Sequence, residues 1–190
     1  MINVSVDEVS LKEIEERLGA MRSKAPVLLK KSVNEVAQRL HKDVKKDTRS
    51  KYILSVDEVN DKIRLEGKTS TIRPRRRIMI KSSQYDLNDF EVRPGTYNRK
   101  RKIALKARVQ RNESLTELIN KEENKAFIAL GKDRYFAVRQ RNSDERYPLK
   151  RLRGPSMPSM VHTVWKEKQP DYSQRLRQSV EKHIKEVMGG

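Results

Sequence analysis

Three histidines and one run of cations are the residues in this chain with the most obvious chemical potential. His41, His162 and His183 could act as bases or metal ligands, but no pair has the spacing of a metal site. His41 follows Leu40 and precedes Lys42, which reads as an exposed helical position. His162 lies near Trp165 and His183 precedes Ile184, which reads as packing, half-buried for His183. Asp57, Glu58 and Asp61 could be drawn as a nuclease metal cluster. However, Ser55-Val-Asp-Glu58 is a capping box, and acids in a first helical turn complement the helix dipole. The sequence sets up no nucleophile–base–orienter constellation. It therefore points to a protein that is not an enzyme and has no cofactor.

The cations are a stronger signal. Lys and Arg number 44 against 26 acids, a net charge of +18. From Lys68 to Arg111 there are 14 basic residues and three acids, a net +11. Between Val92 and Asn112 there is no acid at all. Pro94-Gly95 signals a turn, which puts Arg99, Lys100, Arg101 and Lys102 on a loop tip, with Lys106 and Arg108 following on a strand. Such a segment fits a polyanion or an acidic protein neighbour. Aromatic residues make up only 5% of the chain and do not interleave with the run, so base stacking is not its mode.

The elements that position these residues follow from periodicity. The segment INVSV alternates as a short strand. Ser10 and Glu13 form a capping box, and Leu11, Ile14, Leu18 and Met21 then mark one helical face, weakened at its end by Gly19. Pro26 suits the first turn of a second helix of about 20 residues. Its stripe is Leu29, Val33, Val36, Leu40 and Val44, opposite Lys30, Lys31, Gln38, Lys42 and Lys45. Val56, Val59 and Ile63 predict a third helix stopped by Gly67. Strands follow around Ile78-Met-Ile80, with Pro74 at an edge or turn, and through Ile103, Leu105, Ala107 and Val109. AFIAL and RYFAVRQ, joined by Gly131-Lys-Asp133, read as a β-hairpin. Met157, Met160, Val161, Val164 and Trp165 predict a short helix, restarted at Pro170-Asp171. Its continuation carries the stripe Tyr172, Leu176, Val180, Ile184 and Val187.

The expected fold class is α+β: an antiparallel sheet of about four strands packed by N-terminal and C-terminal helices, with a basic loop. A single domain is expected over 1–190, mainly helical over 1–67, mainly β over 68–141, with a proline-bounded connector and C-terminal helix over 142–190. Hydrophobic residues are only 35% of the chain, against about 45–50% for an ordinary globule, so either part of the chain is extended and solvated or neighbouring subunits complete the core. There are no cysteines, hence no disulfide framework. The acidic N-terminus carries no signal pattern, and no apolar run approaches the ~20 residues of a membrane span, so a soluble protein made in a cytoplasm is expected.

The C-terminal half carries a family likeness. The segment KAFIALGKDRYFAVRQR has Phe-Ile, then Gly, Arg, an aromatic residue and Arg in a hairpin. RYPLKRLRGPSMPSMV has Arg-Tyr-Pro-aliphatic, then prolines and a long helix. Upstream, KAPVLLKKSVNEVAQRLHKDVKKDT gives a long helix after a proline, and the basic RKRK follows. In these segments and their order the chain resembles the minor tail protein Z family of lambda-like tailed phages, the tail-completion proteins.

The resemblance implies a structural virion protein of the tail or neck, in a phage or a tail-like particle. It would be a terminator subunit in a homo-oligomeric ring, with six copies favoured, that ends tube or sheath growth and prepares head–tail joining. Tail tube, sheath or neck proteins would be its partners, with DNA possible in the lumen and no membrane. A general basic nucleic-acid-binding protein is the alternative. Tyr147 and Pro148 are expected to anchor the hairpin exit over Phe127 and Phe136, with the Tyr147 ring buried and its hydroxyl bonded. Leu149 and Leu152 should point inward, and Lys150, Arg151 and Arg153 outward. Pro155 and Pro158 should stiffen the connector.

Overall fold

The computed structural model describes the chain except residues 6–7, 68, 73, 97–103, 132–133, 144, 146 and 190, and only the backbone of 8–10. The chain divides into two compact units. One comprises Met1–Asp47, Asn60–Lys81 and Val161–Gly190. The other comprises Thr48–Val59 and Ser82–Met160.

The first unit is helical with one small sheet. Helix α1 (Glu8–Leu18) ends at Gly19, whose φ of +51° is open to glycine at little cost. A 3-10 turn, Gly19–Lys24, leads into α2 (Ala25–Lys51), with Pro26 in the first turn. At 27 residues α2 is longer than the apolar stripe alone suggested: it runs on through Lys45 and Lys46, which favour helix, to the buried Thr48 and the basic last turn of Arg49 and Lys51. The predicted stripe Leu29, Val33, Val36, Leu40 and Val44 is buried throughout. Ile14, Leu18, Ala25, Leu28, Leu29, Val180 and Ile184 form one apolar cluster, flanked by Leu11, Met21 and Val187.

Strands β1 (Ile2–Ser5), β2 (Ile63–Glu66) and β3 (Arg75–Ile80) form an antiparallel sheet in the order β1-β3-β2. Ile2 and Leu65 both register with Ile78, and Ile63 with Ile80. Helix α3 (Val56–Lys62) therefore does not extend to Gly67 as its stripe suggested. Ile63 fits a helical step from Val59 and equally a strand position. Gly67, at φ +81°, turns the chain after β2 and is not a helix stop.

The C-terminal element is also a correction. Helix α4 (Met157–Met188) is one helix of 32 residues, with Pro170 inside it. An internal proline costs roughly 3 kcal/mol. The burial of Val161, Val164, Tyr172, Val180 and Ile184 along one stripe, and the stacking of Trp165 on Tyr172 at 5.6 Å, hold both sides of Pro170 in register.

The second unit carries the remaining strands. These are β4 (Gln84–Asp86), β5 (Glu91–Arg93), β6 (Lys106–Arg108), β7 (Thr116–Glu117), β8 (Phe127–Leu130), β9 (Phe136–Arg141), β10 (Leu149–Arg151) and β11 (Arg153–Ser156). They lie in three small antiparallel sheets, β5-β6-β7, β10-β9-β8 and β11-β4. The fold is thus α+β, with its strands distributed over several small sheets and not gathered into one. Asn88 closes the hairpin laterally: its Nδ2 donates to the Phe136 carbonyl at 2.7 Å, and its Oδ1 accepts from the Val138 amide at 3.1 Å.

Candidate functional site

The hairpin and the connector after it build one open face in the second unit. Strands β8, β9 and β10 alternate. Ile128, Val138 and Gln140 are buried on one side, while Phe127, Arg139, Arg141, Leu149 and Arg151 point to the other. The register places Phe127 and Arg151 on either side of Arg139, and Leu149 opposite Arg141. With Tyr147 and Pro148 these residues line a groove of about 920 Å³. At the hairpin end, Leu130 and Phe136 are a cross-strand pair, 54% and 45% exposed.

The connector departs from expectation in three ways. Tyr147 is 63% exposed, so its ring is not the buried anchor predicted. Arg151 does not point into solvent: it is half-buried, ion-paired to Asp86, with its guanidinium 5.1 Å from the Tyr135 ring centroid. Phe136 lies at the rim and not beneath a buried tyrosine. Pro148 is exposed, whereas Phe127, Leu149, Leu152, Pro155 and Pro158 are half-buried. Backbone bonding takes the anchoring role instead. Leu152 donates to the Val138 carbonyl at 2.9 Å and accepts from the Leu87 amide at 3.3 Å, and β11 pairs with β4.

Arg99, Lys100, Arg101 and Lys102 lie outside the described residues. Lys106 pairs across strands with Glu117 at 3.2 Å. Arg108 donates to Glu91 at 2.6 Å and to the carbonyls of Arg111 and Glu113. The Arg108 hydrogen bond, with further help from Arg93, holds the Glu91 carboxyl below its ordinary pKa.

The possible catalytic groups are engaged otherwise. Glu58 accepts from the Ser55 amide at 3.1 Å, Ser55 Oγ accepts from the Glu58 amide at 3.2 Å, and Asp61 pairs with Arg64 at 2.9 Å. No group of metal-ligating residues is found among the described residues. His162 is exposed, against its expected packing. His41 is half-buried and not exposed; its Nε2 donates to the Ile63 carbonyl at 3.1 Å.

His183, read as half-buried packing, is only 2% exposed and belongs to a polar seam the sequence did not reveal. Its Nδ1 is 2.8 Å from Ser32 Oγ and its Nε2 3.6 Å from Glu35. This resembles a Ser–His–Glu arrangement, but Ser32 is fully buried, so the cluster acts as a clamp between α2 and α4. Farther along the same helices, the Tyr172 hydroxyl donates to Asp43 at 3.0 Å, and burial raises its pKa. The only sequence signal was position: Ser32 and His183 each sit next to a stripe residue.

The first unit thus holds closed polar clusters, and the second carries an open face of arginines and aromatic or aliphatic side chains. The chain belongs to the prophage minor tail protein Z family, whose model matches residues 10–188, nearly its whole length. It is a structural protein of the phage tail, placed in the virion tail among other tail proteins. No helix among the described residues is long and apolar enough to cross a membrane. No curated protein and no solved structure matches the chain.

Proposed function

We propose that the chain is a tail-completion or terminator subunit. Copies form a closed homo-oligomeric ring at the head-proximal end of the tail, end tube or sheath growth and prepare the tail for the head. Closed cyclic symmetry is the usual arrangement of identical subunits, and six copies are favoured. The observation that carries the reading is the open face of β8, β9 and β10. Aromatic and arginine side chains are enriched at protein–protein contacts, and Phe127, Tyr147, Arg139, Arg141 and Arg151 share this face, which stands on a connector bonded into two sheets.

The test is electron microscopy of particles made without the protein. Tails of irregular length, or finished-length tails that carry no head, are expected. Normal tails joined to heads would refute the proposal, as would a mass measurement showing one copy per particle. Tyr147→Ala changes an exposed side chain, so the variant should fold with an unchanged melting temperature yet enter particles poorly. Full incorporation would remove this face from the interface.

A further inference from the structure

A second groove, in the first unit, has no place in the ring reading. It is lined by Val27, Lys30, Lys31, Asn34, Thr69 and Arg76 and has a volume of about 590 Å³. Three separate segments supply it: the first half of α2, the residues after β2, and the start of β3. None of the six is an acid. Lys31 is partly neutralised by Glu186 at 3.3 Å, whereas Lys30 is exposed.

Two of the lining residues carry donors with no acceptor. Thr69 is 8% exposed, and its hydroxyl is buried without a hydrogen-bond partner. Arg76 lies in the row of β3 that contains Ile78, opposite Val4 of β1, so its stem is drawn inward while its head reaches the groove. One terminal nitrogen of Arg76 donates to the Gly67 carbonyl, but its buried Nε–H has no partner. Buried polar groups are almost always hydrogen-bonded, and each exception calls for an explanation such as a bound ion; two of the residues that line this groove carry such an exception. The local potential is positive as well. His41, already held below its ordinary pKa by burial, is lowered further by Lys45 and Arg76.

We propose that this groove is a phosphate-binding site, with Lys30, Thr69 and Arg76 as its principal donors and Asn34 as a further one. The lining supplies cations and neutral donors and no carboxylate. A phosphate offers several oxygens in a tetrahedral array, which suits donors converging from three directions better than a planar carboxylate does. The phosphate can come from a nucleic-acid backbone or from free phosphate. The site is independent of the open face in the other unit, and it stands or falls apart from the ring proposal.

The test uses the full chain and two variants. Lys30→Gln removes an exposed cation. Thr69→Val removes the orphan hydroxyl without changing side-chain shape. Potassium phosphate is titrated against potassium chloride at constant ionic strength, with backbone amide and arginine Nε–H signals followed by nuclear magnetic resonance. Saturable shifts at residues 30–34, Thr69 and the Arg76 Nε–H are expected. Lys30→Gln should weaken the site about tenfold, as for loss of one charge-assisted hydrogen bond. Thr69→Val should melt no lower than the parent in chloride yet lose most of the phosphate response.

A parallel titration with a short DNA duplex separates the sources. If the ligand is a backbone phosphate, Lys30→Gln lowers the slope of log affinity against log salt by about one. If the duplex leaves these signals in place and inorganic phosphate moves them, free phosphate is the ligand. Equal shifts with glutamate, no shift at these residues with either phosphate source, or a Thr69→Val protein that melts lower and still binds would overturn the site.

Discussion

Gly154 offers a sharp test of how the connector is held. A Cβ built there would lie 2.3 Å from Phe90 Cε2, 2.9 Å from Cδ2 and 3.2 Å from Cζ. Ordinary carbon contacts lie at about 3.5–4.0 Å, so the ring would have to retreat by more than about 1 Å. Phe90 is 6% exposed and packs edge-on against Tyr85 at 5.9 Å, which leaves little room for that shift. The φ of Gly154 is not in the left-handed region, so alanine adds no backbone strain and gains about 0.4–1 kcal/mol from the unfolded chain. Overpacking costs typically about 1–3 kcal/mol, and an approach of 2.3 Å belongs at the upper end, so with the unfolded-chain gain subtracted Gly154→Ala should be destabilising by about 2 kcal/mol. For a chain of this size that is a fall in melting temperature of about 4–8 °C. The assay is calorimetry or circular dichroism on Gly154→Ala, Phe90→Leu and the double variant. If the ring is the obstacle, the shorter side chain relieves it and the double variant loses less than the sum of the singles. A melting temperature within about 1 °C of the parent, or strictly additive losses, would refute the steric argument.

Ser55→Ala removes the hydroxyl that caps the Glu58 amide and should cost about 1 kcal/mol in urea unfolding, with Ser55→Asp largely preserving stability. The histidines set an acid limit. His41 and His183 are both held below their ordinary pKa, chiefly by burial. The unfolded chain therefore binds protons that the folded chain resists, and stability falls as the pH drops below about 6.5 towards the depressed folded values. Around His183 the charges that face it are Lys31 and Glu35 on α2 and Lys182 and Glu186 on α4. Each histidine contributes at most about 1.4 kcal/mol per pH unit. Melting temperatures measured between pH 8 and pH 5 should fall, and His183→Gln should flatten the dependence. An unchanged slope in that variant would show that His183 does not titrate against folding.

The long helix α2 was legible because five apolar residues held a 3.6 period over several turns, and no strand pattern competes over that length. The hairpin was legible from Phe127 to Arg141 through its central glycine and apolar runs. Short elements were not. Ile63 satisfied two periodicities, so a strand was read as the end of a helix. Strands β4, β5, β10 and β11 have three or four residues each, too few to display alternation. Pro170 read as a break because its local cost is visible in sequence, while the stack of Trp165 on Tyr172 is not. Arg151 read as outward because charge favours water. Its partner Asp86 is 65 residues away, and only the fold reveals the pair. Tyr147 failed for the opposite reason: an aromatic type suggested burial, yet its position before a proline at the entry to β10 leaves it at a rim.

The placement of the acids explains how so basic a chain can fold. Asp86 and Asp89 cap the short turn at Leu87–Asp89, and Asp86 also pairs with Arg151. Glu91 holds Arg93 and Arg108, Asp43 holds Arg175 and the Tyr172 hydroxyl, and Glu181 holds Arg17. These carboxylates are tied to caps, cross-strand pairs and helix seams, where each satisfies donors the fold itself creates. The surplus of +18 lies on cations that the chain has no acid to match. Exposed surplus charge contributes little to stability and acts mainly on what approaches the surface. It raises the cost of bringing identical copies together, and that cost falls within a Debye length of about 8 Å at physiological salt. An interface between copies, as in the proposed ring, would then rest on close apolar contact and on paired charge. In the proposed ring the rim formed by Leu130, Phe136 and Tyr147 would supply the apolar contact, while Arg139, Arg141 and Arg151 on the same open face would be met by acceptors from the neighbouring copy.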